Sequence, residues 1–65
     1  MISLDQQITC VMREIAMRAR VYPVWVNGGK MKPEKSAYEM EAMKAVLATL
    51  EQFQRERNST KEGPA

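Results

Sequence analysis

The sequence predicts an all-α protein, an antiparallel helical hairpin that dimerises into a four-helix bundle. Three observations predict it. Apolar residues recur at steps of three and four from Leu4 to Trp25, and again from Ala37 to Phe53. That is the period of a helix with one face turned to a core. Between these stretches, Asn27-Gly28-Gly29-Lys30-Met31-Lys32 collects the residues that break helices and make turns. A connection this short holds its two helices side by side and antiparallel.

The first helix is expected over about residues 4–27. Ser3, followed three residues later by Gln6, spells a capping box: the hydroxyl accepts from a free backbone N–H and the Gln side chain reaches back. Asp5 suits the positive end of the helix dipole. Leu4, Ile8, Val11, Ile15, Tyr22 and Trp25 then form a heptad seam, interrupted at Arg18. Met12, Ala16, Ala19 and Val26 widen the stripe beyond what a two-stranded zipper needs, which fits a bundle of more than two helices. Glu14 and Arg18 stand at i, i+4 in the favourable order.

Pro23 falls inside this pattern. It removes a helix hydrogen bond and disfavours α geometry at Tyr22. Either the helix kinks there and runs on, or it stops near Arg20 and Pro23 opens a separate turn. The kink is preferred, because Tyr22, Trp25 and Val26 stay in phase with the seam. Asn27-Gly28-Gly29 closes the helix, since Asn or Gly accepts the left-handed conformation common at C-termini.

The second helix is expected over about residues 33–56. Pro33 suits a first helical position and Glu34 adds favourable charge, while Lys32 is a poor cap. Its apolar set is Ala37, Met40, Met43, Val46, Leu47, Leu50 and Phe53, and Glu51–Arg55 makes a further i, i+4 pair. The stripe ends before Gln54-Arg55-Glu56-Arg57. Residues 1–57 therefore form one hairpin domain, and the polar residues 58–65, with Gly63 and Pro64, are expected to be a disordered tail.

Sixty-five residues build a marginal core on their own. One Cys, Cys10, allows no intramolecular disulfide, and with no His present a Cys/His zinc site is excluded. No cofactor is expected. The remaining source of stability is a second chain. The expected dimer core is Ile8, Val11, Ile15, Met40, Met43, Leu47 and Leu50. The start Met-Ile-Ser-Leu-Asp lacks the features of a signal peptide and no apolar run could span a bilayer, so a cytoplasmic protein without membrane attachment is expected.

No catalytic set can be assembled, since His is absent and the carboxylates are interleaved with bases along solvated faces. The chain is therefore not expected to be an enzyme. The net charge of +2 is uneven: residues 13–35 hold six basic residues against two acidic ones. Within this region Arg18, Arg20, Tyr22, Trp25 and Lys30 are the candidate partner-binding residues, because Trp, Tyr and Arg dominate binding hot spots. The alternative is a nucleic-acid-binding accessory role, with Arg13, Arg18, Arg20, Lys30 and Lys32 set against phosphates. An acidic start to the second helix, Pro-Glu-Lys-Ser-Ala-Tyr-Glu-Met-Glu, argues against a DNA-reading helix.

The run Arg13-Glu14-Ile15-Ala16-Met17-Arg18, the motif Tyr22-Pro23-Val24-Trp25-Val26, then Gly29-Lys30-Met31 and Ala37, Glu39, Met40, Met43, Ala45 and Leu50 resemble a group of small uncharacterised phage and prophage proteins. The resemblance covers roughly residues 11–50, and its specific part is Tyr-Pro-x-Trp-Val. Where that group commonly has a hydroxyl residue capping the second helix, this chain has Lys32. The resemblance implies phage origin and an accessory role in the bacterial cytoplasm, and small accessory proteins of this kind often bind and inhibit a host protein.

Overall fold

A computed structural model describes residues 1–61, with side chains up to Asn58. Two helices, α1 (Leu4–Asn27) and α2 (Pro33–Lys61), pack against each other as a hairpin, and no strand occurs among the described residues.

The start of α1 is the capping box read from the sequence. Ser3 Oγ accepts from the Gln6 backbone N–H at 3.1 Å, and the Ser3 N–H donates to Gln6 Oε1 at 2.8 Å. The helix passes through Pro23 without a break and ends at Asn27. A stop near Arg20 therefore does not occur. Pro23 lacks the N–H that would reach the Ala19 carbonyl, but the turns on either side keep their bonds.

The C-terminus of α1 is a Schellman motif. The Gly29 N–H donates to the Val26 carbonyl at 3.1 Å, and the Lys30 N–H donates to the Trp25 carbonyl at 2.8 Å. Gly29 takes the left-handed position with φ 75°, where a side chain would be strained. Gly28 and Asn27 do not. Pro33 is the first residue of α2, and the Ser36 N–H bonds back to the Lys32 carbonyl at 3.0 Å.

α2 continues to Lys61, past the end expected at residue 56. Loss of the apolar stripe did not end it: the good helix formers Gln54-Arg55-Glu56-Arg57 carry the backbone past the stripe, and local contacts form there. Gln52 Nε2 donates to Glu56 Oε1 at 3.2 Å, and the Arg57 guanidinium lies 5.9 Å from the centre of the Phe53 ring. Residues 58–61 are thus helical where a disordered tail was expected, and the rest of that tail lies outside the described residues.

Across the hairpin, α1 turns Leu4, Ile8, Val11, Ile15, Arg18, Tyr22 and Val26 toward α2. The seam runs as the sequence suggests up to Tyr22, and then Val26 takes the inward position in place of Trp25, which is 43% exposed. A 3.6-residue helix drifts against a seven-residue repeat, so a four-residue step from Tyr22 stays closer to the seam than a three-residue one. On α2 the inward row is Ser36, Met40, Met43, Leu47, Leu50 and Gln54. Ala37, Val46 and Phe53, read as part of the apolar face, are exposed. Only Ile8 and Tyr22 fall in the buried class among the described residues; the other expected core residues are half-buried. At the open end, Gln54 Nε2 donates to Asp5 Oδ1 and ties the two helices together.

Candidate functional site

The turn end carries the candidate site, and one face of α1 organises it. Arg18, Tyr22 and Trp25 follow one another at helical steps of four and three. Arg18 Nε donates to Tyr22 Oη at 3.0 Å. The Tyr22 and Trp25 rings lie 5.8 Å apart, tilted by 34°, a favourable aromatic geometry. Tyr22 is buried against α2, so the ladder is anchored at its middle and offers Trp25 at its end.

Arg18 is a cation in an apolar seam. Its side chain is 26% exposed, and Nη1 approaches Glu14 Oε1 only to 3.9 Å. Nη1 itself is shut off from solvent and makes no hydrogen bond. This is the only ion pair among the described residues; Glu51 and Arg55, expected to pair, do not. The guanidinium therefore holds Tyr22 in place at some cost, since a buried polar group without a partner is unfavourable.

The five candidate residues do not all converge. Arg18, Tyr22 and Trp25 form one cluster, and Lys30 is fastened to it by its backbone bond to Trp25. Arg20 is exposed but two residues from Arg18, about 200° round the helix, so it lies on the outer face. It shares that face with Arg13, seven residues earlier and also exposed. Val24 is exposed in the same last turn of α1 and Met31 is half-buried beside the turn, two apolar neighbours outside the set of aromatic and basic candidates. The left-handed Gly29, which fixes Lys30 relative to Trp25, was signalled by the Asn-Gly-Gly run.

Among the described residues, no group of three or more His, Cys, Asp or Glu is placed to hold a metal ion. No helix there is long and apolar enough to cross a membrane. Cys10 is an exposed free thiol. No family model, curated protein or solved structure matches the chain.

Proposed function

We propose that this chain is an interaction protein, working as a homodimer that binds and modulates another protein through its turn end, and not a catalyst. The observation that carries this reading is the imbalance between core and surface. Among the described residues, two side chains are buried while nine large apolar ones are exposed, Trp25, Val46 and Phe53 among them. A hairpin so thinly packed gains little apolar burial to set against the entropy of ordering its chain. A second hairpin closing a four-helix bundle over the half-buried Val11, Ile15, Met40, Met43, Leu47 and Leu50 supplies what is missing.

Trp25 is the anchor for the partner, with Val24 and Lys30 beside it. The tie of Lys30 to Trp25 and the stacking on Tyr22 reduce the entropy lost on binding. A bend of α1 at Pro23 would aim this last turn away from the bundle axis. The resemblance to small phage proteins makes a host protein in the bacterial cytoplasm the natural target.

Recovery of partners from host lysate with the wild type and with Trp25→Ala tests the turn end. Loss of a partner with Trp25→Ala supports the reading, and equal recovery of every partner argues against it. A second reading rests on Arg13 and Arg20, which share one exposed row about 10.5 Å apart along the axis and could follow a phosphate backbone. Binding to nucleic acid that weakens steeply with salt would favour that reading.

A further inference from the structure

α1 carries a second apolar stripe besides the row it turns to α2. Met17, Val21, Val24 and Trp25 follow one another at steps of four, three and one. At 100° per residue they fall within an arc of about 100°, outside the inward row of Ile15, Tyr22 and Val26. Met17, Val24 and Trp25 are exposed and Val21 is half-buried. No other residue of 15–27 falls in that arc, so the last three turns of α1 have two apolar faces.

The charge around this stripe has one sign. Residues 15–33 contain Arg18, Arg20, Lys30 and Lys32 and neither Asp nor Glu. Arg20 is exposed, three residues after Met17 and four before Val24, along the outer edge of the stripe. Arg18 borders the inner edge, and Lys30 is bonded through its backbone to Trp25 at the end. The nearest acid, Glu14, precedes Met17 by one turn and already faces Arg18 at 3.9 Å.

We infer that this stripe seats in an apolar groove of the partner protein whose rim carries carboxylates. The inference rests on the proposed binding at the turn end and names the chemistry recognised there: aliphatic or aromatic side chains at the centre, Asp and Glu facing Arg20 and Lys30. Amphipathic helices enter grooves through anchors at this spacing. Opposite charge at the rim steers the encounter and fixes the register. Charge also decides against other occupants. A second copy setting its stripe against this one would bring Arg20 near Arg20 with no acid opposite. The stripe is therefore separate from the inward face that the proposed bundle buries. A phosphate backbone answers the cations but offers nothing apolar to Met17, Val21 and Val24, which line about 10.5 Å of helix.

Photo-crosslinking of the full chain in bacterial lysate tests the assignment, with a photoreactive side chain at position 17 and, separately, at position 24. Mass spectrometry of the joined peptides identifies the protein and the segment touched. Both positions are expected to reach one segment, in which apolar residues stand beside Asp or Glu. Titration with that purified protein is expected to show Met17→Glu and Arg20→Glu weakening binding by about 10-fold or more. Arg20→Lys, and Met12→Glu on the opposite side of α1, are expected to bind like the wild type. A segment without carboxylates, or full affinity in Arg20→Glu, overturns the inference. Full affinity in Met17→Glu beside lost binding in Trp25→Ala confines the contact to the turn end; it overturns the stripe and leaves the turn-end reading intact. Full affinity in Trp25→Ala as well removes that reading too. Crosslinks only to nucleic acid or lipid, or none at all, overturn the inference. Circular dichroism checks the helix content of each variant, and if Met17→Glu loses its helix the exposed Arg20→Glu decides.

Discussion

Replacing Arg18 with Met should stabilise the protein. Arg18 occupies an inward position between Ile15 and Tyr22, where every other α1 residue of the row is apolar or aromatic. Three terms decide the sign. Loss of the Nε donation to Tyr22 Oη costs about 1.5 kcal/mol, the low end for a bond to a charged group. Loss of the 3.9 Å approach to Glu14 costs a few tenths of a kcal/mol, because the contact is long and the Glu14 side chain is 42% exposed. Against these, removing the sequestered Nη1, which makes no hydrogen bond, recovers about 1–3 kcal/mol, and the Met side chain adds apolar burial in the seam. The balance is a gain of about 1 kcal/mol, in line with the general outcome when ill-satisfied buried charges give way to apolar residues of similar size. For a domain this small, that raises the thermal midpoint by about 4–8 °C. Denaturant titration followed by circular dichroism, at fixed protein concentration, measures it. A loss of 1 kcal/mol or more would refute the reasoning and show the guanidinium to be a net contributor. A gain in stability accompanied by several oligomeric species would show what the charge is retained for, since a polar residue in a helical seam can specify register.

Further substitutions probe the helix ends and the interior proline. Gly29→Ala should destabilise by about 1 kcal/mol, because φ 75° strains any residue with a Cβ although nothing lies within 4 Å of the site. Gly29→Asn should cost less, and equal stability of all three proteins in a thermal melt would contradict the Schellman assignment. Ser3→Ala should cost about 1 kcal/mol by the same measurement, since the N-cap acceptor for the Gln6 N–H is lost. Pro23→Ala should stabilise by about 1–2 kcal/mol: it restores a backbone donor facing the Ala19 carbonyl, less the extra freedom given to the unfolded chain. A destabilised Pro23→Ala would show that the ring makes contacts worth more than the bond it removes.

The legible part of this fold was local. Ser3 and Gln6 announce a cap whose bonds involve only neighbours in sequence, and Asn27-Gly28-Gly29 announces a turn for the same reason. Pro33 marks the first residue of α2. What the sequence conveyed less well depends on phase over several turns. Trp25 and Val26 compete for one inward position, and the drift of a straight helix against a heptad decides for Val26. Val46 and Phe53 read as core because they are apolar and helically spaced, yet Leu47 and Gln54 take the inward positions beside them. Their own seven-residue step was the signal of a separate outer row. The end of α2 was misplaced because a spent apolar stripe is a statement about packing, whereas helix formers and i, i+4 contacts carry the backbone further. In the candidate site, Arg18, Tyr22 and Trp25 came together because they are spaced for one face. Arg20 did not, because a two-residue step from Arg18 carries it to the outer face.

Folding and association are proposed to be one process, because among the described residues only Ile8 and Tyr22 are buried, and neither completely. The thermal unfolding midpoint of the wild-type chain, measured across a hundredfold range of protein concentration, tests it most directly. A midpoint that climbs steadily with concentration is the predicted result, since mass action stabilises the associated native state. A cooperative transition at the same temperature throughout the range would show that the hairpin folds alone and would contradict the account.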